Sequence, residues 1–397
     1  WATGSVIGSL LDGDLVVLAS GDPSMSDRYW ESGEAALAAI ADSLYQKGLR
    51  NVAGSVFVDV SAWDSTTVGP TWEVEDLRFP HGATGGAFAI DEGEISVIIK
   101  AGPAVGSPAS LEWFPKGTPD YVRARVTTVP PDSGLQVRSN YLPETRHLEL
   151  TGQIELYETD TLIFALRDPI RQATAALGAA IEQAGIELQN GAQVAWSEGY
   201  RVGRGCLSGS VRECPNAGPV LTLESPPLSE LIAGILKPSQ NWMTEQLIRT
   251  LGAELGEEGS WSEGVAVISE FLTEVVGIDS LDISLRDGSG LSRYNLVTPR
   301  ALVRILQYLS SDQNNGAYRS ALATPGEEDS TLQERLSDLE GRVFAKTGTL
   351  SNVTSLSGYL TRDDGSEVIF SILSNGSGLP SGQVRGAIDD IVRILAR

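Results

Sequence analysis

Two short polar motifs, lying far apart in the chain, constrain its fold more than any other feature. Lys346, Thr347 and Gly348 are flanked by apolar residues in a pattern typical of a β-strand. The triplet Ser239-Gln240-Asn241 stands upstream, at the start of a strongly helical segment. The lysine and the neighbouring hydroxyl groups can meet a carboxylate only if their strand lies at the edge of a sheet. The motifs therefore predict an α+β domain with a polar sheet edge.

A third motif that commonly accompanies these two is missing. A Ser-x-Asn triplet followed much later by Lys-Thr-Gly makes up two of the three motifs of penicillin-binding proteins and serine β-lactamases. The remaining motif, Ser-x-x-Lys, carries the nucleophile, and none of the five lysines has a serine three residues before it. We expect the nucleophile to precede Trp1, unless the chain is a homologue that has lost its chemistry.

Longer segments around the motifs make the resemblance specific. Residues 236–252 and 287–295 resemble the class C low-molecular-mass penicillin-binding proteins, the D-alanyl-D-alanine carboxypeptidase/endopeptidase family, and so does Gly326 before Asp329-Ser-Thr-Leu. The resemblance covers nearly the whole chain and is strongest from residue 221 onward. It implies a serine peptidase that acts on peptidoglycan stem peptides through an acyl-enzyme. It also implies inhibition by β-lactam antibiotics and a site that needs no cofactor and no metal.

The resemblance assigns a catalytic role to three residues of this sequence. Ser239 would relay a proton to the departing D-alanine amine, as a general acid and base. Its alternative use is as an ordinary helix N-cap. Asn241 would hold the substrate amide and orient the base lysine, because its side chain both donates and accepts. Lys346 would bind the terminal carboxylate as a compact cation.

Four further residues are predicted to contact the substrate. Thr347 and Thr349 would hydrogen-bond the same carboxylate, and the Thr349 N–H would form half of an oxyanion hole. Gly348 would let the substrate backbone approach the strand closely. Arg293 matches an arginine near the family's groove, where it would bind an acidic side chain of the stem peptide, and an internal salt bridge is the alternative.

One stretch departs from the family pattern. The family places an acidic residue and an aromatic near the groove, where they contact the free amino end of the peptide. Here Trp72 and Phe79 are kept, but the acidic position is displaced to Glu73 or Glu75. Recognition of an amino-terminal stem peptide is therefore in doubt, and a solvated acidic turn is the alternative.

The chain is predicted to be an α+β protein with three units. Residues 1–60 and 148–220 alternate strand and helix patterns, which predicts an α/β insertion domain. Residues 61–147 are rich in Pro, Gly and Thr and have short apolar runs, which predicts a nested β-rich insertion. Residues 221–397 contain helices and then three strands, as in the penicillin-binding, serine β-lactamase-like transpeptidase domain. We expect the β-rich part to project over one end of the site and to select substrates.

Composition and charge exclude some classes of partner. The net charge of −23 makes nucleic acid and anionic membrane surfaces poor partners, and no apolar stretch is long enough for a membrane span. Cys206 and Cys214 are the only cysteines, and a disulfide between them is favoured over two free thiols. These features favour an exported protein, periplasmic or extracellular, whose signal peptide, if it had one, has been removed. The sequence leaves the oligomeric state open.

Two functional hypotheses remain at this point. The first is a serine D-Ala-D-Ala peptidase whose nucleophile precedes Trp1. The second is a catalytically inactive homologue that binds wall peptides or another protein. Retention of Ser239, Asn241, Lys346 and Thr347 together favours the first, because a binding module has little need of a proton relay.

Overall fold

The computed structural model describes residues 1–2, 5–115, 122–141, 147–195, 220–311, 313 and 315–397. The predicted disulfide between Cys206 and Cys214 lies outside the described residues. Within the described ranges, no helix is long and apolar enough to cross a membrane.

The first unit is a small α/β structure built from two sheets. Its elements up to residue 59 are β1 (Ser5–Ile7), β2 (Leu10–Asp12), β3 (Leu15–Leu18), α1 (Gly33–Gln46), β4 (Asn51–Val52) and β5 (Val56–Asp59). Helix α1 begins where the Ser32 hydroxyl accepts a hydrogen bond from the Ala35 N–H at 3.0 Å. Its apolar residues recur at helical spacing and pack against the strands as part of one core.

The β-rich unit contains the next six strands. These are β6 (Glu94–Lys100), β7 (Ser110–Phe114), β8 (Val122–Val129), β9 (Gln136–Tyr141), β10 (Leu148–Glu155) and β11 (Thr159–Ala165). They form two three-stranded sheets, β11-β6-β7 and β8-β10-β9, which share a separate apolar core. The chain then returns to the α/β unit with α2 (Pro169–Gln183), β12 (Glu187–Leu188) and β13 (Ala192–Ala195), and β13 and β3 both pair in parallel with β5.

The structure shifts both ends of the predicted β-rich segment. Strands β10 and β11, which the sequence assigned to the α/β part, pair with β8 and β6 and belong to the β-rich unit. At the other end, residues 61–93 contain no described strand and only short 3-10 turns. Alternation along a strand shows which face is buried, but it does not reveal the partner sheet, which is why residue 147 was the wrong boundary.

The remaining helices surround the two motifs found in the sequence. They are α3 (Leu228–Leu236), α4 (Asn241–Leu255), α5 (Trp261–Glu270), α6 (Pro299–Ser311) and α7 (Asn315–Ala321), with a short strand pair, β14 (Ile283–Ser284) and β15 (Leu296–Val297). Helix α5 is followed by a wider π-helical turn over Phe271–Val275.

An antiparallel three-stranded sheet completes the last unit. It consists of β16 (Val343–Leu350), β17 (Val353–Thr361) and β18 (Glu367–Asn375), in that order, followed by α8 (Ser381–Leu395). Buried residues of α8, including Val384, Ile388 and Val392, pack against the apolar face of this sheet. Strand β16 lies at one edge, so residues 346–349 are on the sheet edge that the sequence predicts.

Candidate active site

Lys346 and Ser239 are in direct contact. Lys346 Nζ donates to Ser239 Oγ at 2.6 Å and to the Thr347 carbonyl at 2.8 Å. Burial at the sheet edge lowers the pKa of Lys346 from its ordinary 10.5 to about 8. The two sequence motifs therefore meet as one polar site, and its cation is unusually ready to give up a proton.

The end of α3 fixes the backbone of Ser239. The Gln240 N–H bonds to the Ile235 carbonyl at 2.9 Å, and Ser239 takes a left-handed conformation with φ 65°. This is the usual geometry for closing a helix, in which glycine is the common residue. A serine there carries a conformational cost, and its hydroxyl is free to face Lys346.

Gln240, and not Ser239, caps the next helix. Its Oε1 accepts from the Met243 N–H at 2.9 Å at the start of α4. The alternative interpretation of Ser239 as a helix N-cap is therefore wrong. The role of Gln240 was missed because the sequence pattern treats the middle residue of Ser-x-Asn as variable.

Asn241 is the first residue of α4, and its side chain is partly engaged. Asn241 Nδ2 donates to the His81 carbonyl at 2.9 Å, so residues of the insertion hold its amide in place. Among the described residues, none donates a hydrogen bond to the Oδ1 atom of Asn241. No sequence pattern points to His81, because its backbone carbonyl makes the contact.

The three residues after Lys346 lie along the same strand edge. Thr347 and Gly348 are half-buried, and Thr349 is exposed at the open end of β16. A Cβ at position 348 would collide with Ser355 Oγ on β17. A side chain at position 348 would therefore require the Ser355 hydroxyl to rotate away. The role of Gly348 in letting a substrate come close stays a prediction.

Arg293 lies beyond the end of β16 and is already paired. It forms an ion pair with Glu73 at 2.5 Å, and its Nη1 donates to the Ser351 carbonyl at 3.4 Å. The internal salt bridge, given as the alternative in the sequence analysis, is therefore present. Glu73 is one of the two residues to which the displaced acidic position was assigned.

A buried carboxylate shapes the loop that carries Arg293. Asp287 accepts from the Ser292 N–H at 2.6 Å and from Trp72 Nε1 at 2.9 Å. Its neighbour Glu245, on α4, accepts from the N–H groups of Gly288 and Ser289, and burial beside Asp287 raises the pKa of Glu245. These contacts fix the loop against α4.

Residues 61–93, which we call the strap, run along α4. Gln246 exchanges two hydrogen bonds with the Gly86 backbone, and Trp242 Nε1 donates to the Thr84 carbonyl. Fully buried Arg249 pairs with Asp64 at 2.6 Å and lies between the rings of Trp63 and Trp261. The strap therefore belongs to the wall of the site. Among the described residues, no cluster of side chains is suited to hold a metal ion.

Comparisons with known proteins agree with this architecture. The model of the D-Ala-D-Ala carboxypeptidase 3 (S13) family matches residues 1–397. A D-alanyl-D-alanine carboxypeptidase of Actinomadura sp. is 29% identical over 96% of this chain and 68% of its own length. The D-alanyl-D-alanine carboxypeptidase DacB of Haemophilus influenzae is 24% identical over 94% of this chain and 74% of its own.

A solved structure shows the same fold. The crystal structure of penicillin binding protein 4 (dacB) from Haemophilus influenzae superimposes with a TM-score of 0.81, covering 100% of this chain and 85% of that one at 22% identity. The resemblance and the fold class inferred from the motifs are confirmed. The chain belongs to the D-Ala-D-Ala carboxypeptidase 3 (S13) family.

Proposed function

We propose that the protein cleaves peptidoglycan stem peptides ending in D-Ala-D-Ala, as a carboxypeptidase or endopeptidase, through an acyl-enzyme. The observation that carries this proposal is the 2.6 Å hydrogen bond from Lys346 to Ser239, together with the lowered pKa of Lys346. A binding module has no need of a buried cation held against a serine hydroxyl. The same observation speaks against the inactive-homologue alternative.

Each residue of the site has a distinct task in this reaction. Lys346, Thr347 and Thr349 bind the terminal carboxylate at the edge of β16. The nucleophilic serine gives its proton to the base lysine and forms a C–O bond to the penultimate carbonyl, after which the amide C–N bond breaks. Water then hydrolyses the acyl-enzyme ester and frees the serine. Ser239 passes a proton to the departing D-alanine amine. Asn241 accepts from the substrate amide through Oδ1, while the Thr349 N–H stabilises the oxyanion.

The nucleophile and its base lysine complete the site from outside these 397 residues. No Ser-x-x-Lys occurs in the chain, and the curated relatives are longer than the part of them that it matches. We place the nucleophile in a segment upstream of Trp1. β-Lactams would acylate the same serine, and because peptidoglycan lies outside the cytoplasmic membrane, we place the protein in the periplasm or outside the cell.

Arg293 is proposed to select substrates through an exchange of partners. A carboxylate on a stem-peptide side chain can displace Glu73, because the ion pair between Arg293 and Glu73 is well exposed and weakly held. Arg293 lies next to Ser351, directly after the strand that holds the substrate. Specificity would then depend on how well a substrate competes with Glu73.

The proposal is tested with the full-length protein, including its upstream segment. We expect covalent labelling by a fluorescent penicillin and release of D-alanine from an N-acylated peptide ending in D-Ala-D-Ala. Ser239→Ala should slow both reactions. Residues 1–397 alone should take up no label, since no serine is paired with a base lysine. Absence of both labelling and D-alanine release in the folded full-length protein would overturn the proposal.

Ser260→Ala is the matched control. Ser260 also stands at a helix start, where its Oγ accepts from the Glu263 N–H at 3.2 Å. Its loss should cost about 1 kcal/mol of stability and leave the rate of labelling unchanged. If both serine variants slow labelling equally, the effect of Ser239→Ala is structural and not catalytic.

A further inference from the structure

Glu92 is an acidic residue of the strap that reaches the middle of the Ser-x-Asn motif. It is 7% exposed, and one carboxylate oxygen accepts from Gln240 Nε2. The other oxygen is paired with Arg28, whose Nη2 also lies 3.4 Å from the first. No step of the proposed reaction uses this carboxylate. Its partner Gln240, however, is the residue between Ser239 and Asn241.

The Gln240 side chain links Glu92 to the start of α4. Its Oε1 is committed to the Met243 N–H, so its Nε2 must point away from the helix and needs an acceptor. Glu92 supplies that acceptor in a half-buried place where an unmade hydrogen bond is costly. Ser239 and Asn241 therefore flank Gln240, whose side-chain amide is held at both its oxygen and its nitrogen.

The turn that presents Glu92 is itself strained and firmly anchored. Asp91, Glu92 and Gly93 all have positive φ, of 48°, 56° and 68°. Asp91 accepts from the Gly33 N–H at 2.7 Å at the start of α1, and the Gly93 carbonyl accepts from the Leu166 N–H at 2.7 Å. Two successive non-glycine residues in the left-handed region are unusual, and such strain gathers at functional sites.

Two left-handed turns thus face each other across one hydrogen bond. The hydrogen bond joins Gln240 to Glu92. Gln240 directly follows the left-handed Ser239 at the end of α3, and Glu92 lies in the left-handed turn that is held by α1 and the base of the β-rich unit. In this contact, a side chain of the insertion is hydrogen-bonded to a side chain of the Ser-x-Asn motif. The contact from Asn241 to His81 is made to a carbonyl and would survive most substitutions there.

We propose that Glu92 is a positioning residue for acylation: by holding Gln240, it keeps Ser239 facing Lys346 and Asn241 facing the substrate. The carboxylate touches neither substrate nor nucleophile. Its effect is on the rate of the chemical step, since the substrate carboxylate is bound elsewhere, at the edge of β16. This inference rests on the proposed peptidase function.

The test compares acylation of full-length variants by benzylpenicillin, with the maximal rate and the binding constant measured separately. Glu92→Leu removes the acceptor and should lower the maximal rate at least tenfold, with little change in binding. Glu92→Gln keeps a carbonyl acceptor for Gln240 and should stay within threefold of the parent. Arg28→Gln removes only the ion pair, so it should lower the thermal midpoint of unfolding and leave the rate within threefold.

A second variant keeps the proposal falsifiable if Glu92→Leu fails to fold. In Gln240→Ser the hydroxyl still caps α4, but it is too short to reach Glu92. Its maximal rate should fall as far as that of Glu92→Leu. Combining the two should lower the rate no further than either alone, because both break the same contact.

The outcomes separate this inference from the proposed function. If the parent is not acylated, the proposed function fails. If the parent is acylated and Gln240→Ser or folded Glu92→Leu reacts at the parental rate, the positioning role of Glu92 alone is refuted. An equal loss of rate in Arg28→Gln and Glu92→Leu would also refute the positioning role. It would show that the ion pair between Arg28 and Glu92 supports the structure, independently of the hydrogen bond to Gln240.

Discussion

Replacing Lys346 with methionine should make the protein more stable and much less active. The reason is that burial disfavours the ammonium charge, lowering the pKa of Lys346 from 10.5 to about 8. At 1.36 kcal/mol per pKa unit, this corresponds to about 3 kcal/mol of preference for the neutral amine. Methionine has a similar length and no charge to desolvate.

The sign of the effect on stability follows from proton linkage. The folded state has the lower pKa, so between pH 8 and 10.5 the unfolded state binds more protons and the parent gains stability as pH rises. Below pH 8 the full penalty of the buried charge is present. Lys346→Met removes it but also loses the hydrogen bonds to Ser239 and Thr347, worth about 1 kcal/mol each. A net gain of about 1 kcal/mol at pH 7 remains. It should vanish near pH 9 and turn into a loss by pH 10, where little of the charge penalty is left.

The effect on activity has the opposite direction. Loss of a charge-assisted bond to a carboxylate costs roughly 1.5–3 kcal/mol, which slows acylation by about one to two powers of ten. In the parent, acylation should decline as pH rises through about 8, because only the protonated lysine binds the carboxylate. The variant should lack this limb of the pH profile. Stopped-flow acylation by benzylpenicillin and thermal unfolding, both across pH 6–10, measure the two effects.

Lys237→Met is the matched control, since this lysine directly follows α3 and its ammonium group pairs with Glu327, which is not one of the proposed site residues. Its Nζ pairs with Glu327 at 2.5 Å, and both side chains are partly exposed. Such a pair contributes about 1 kcal/mol or less, so the control should be slightly less stable and fully active. A Lys346→Met variant that is clearly less stable than the parent at pH 7 would contradict the expected effect on stability. A variant that keeps the parental acylation rate, or its decline above about pH 8, would contradict the expected effect on activity.

Two further predictions concern the insertion. Glu94 and Ala165 pair directly, so replacing residues 95–164 with an Asn-Gly turn should preserve penicillin labelling. A deletion of residues 61–164, which also removes the strap, should abolish labelling. Equal labelling of both variants would show that the strap is dispensable. Glu73→Gln should free Arg293 and raise the kcat/KM for stem peptides with an acidic side chain several-fold. Arg293→Gln should lower the kcat/KM for the same peptides. If neither variant changes the preference for acidic peptides, Arg293 does not belong to the substrate site.

Regular elements with strong periodicity were predictable from the sequence. The helical segment expected at Ser239-Gln240-Asn241 is α4 (Asn241–Leu255), and the strand expected around Lys346 is β16 (Val343–Leu350), because the apolar spacing is regular along each segment. The site residues were proposed from resemblance. The structure places Lys346 against Ser239, two residues before Asn241, and the roles of the three residues stay predictions.

What could not be predicted is how the irregular segments pack. The strap has no periodicity, and most of its contacts with α4 are made by backbone carbonyls, which every residue possesses. No sequence pattern therefore marks His81 or Gly86 as part of the site. Glu92 was overlooked for a related reason: in the sequence it is one acidic residue among several, and only its burial and its partner Gln240 set it apart.

One signal for the strap was nevertheless present in α4 itself. Glu245, Gln246 and Arg249 lie on a face of the helix that is almost completely buried. A buried polar face cannot be covered by an apolar core, because each donor and acceptor needs a partner. Irregular backbone supplies such partners, since its carbonyls and N–H groups are not used up in a helix or sheet. The strap therefore supplies hydrogen-bond partners for Gln246 and Arg249 of α4. The insertion that contacts Asn241 and Gln240 must accordingly fold together with this helix.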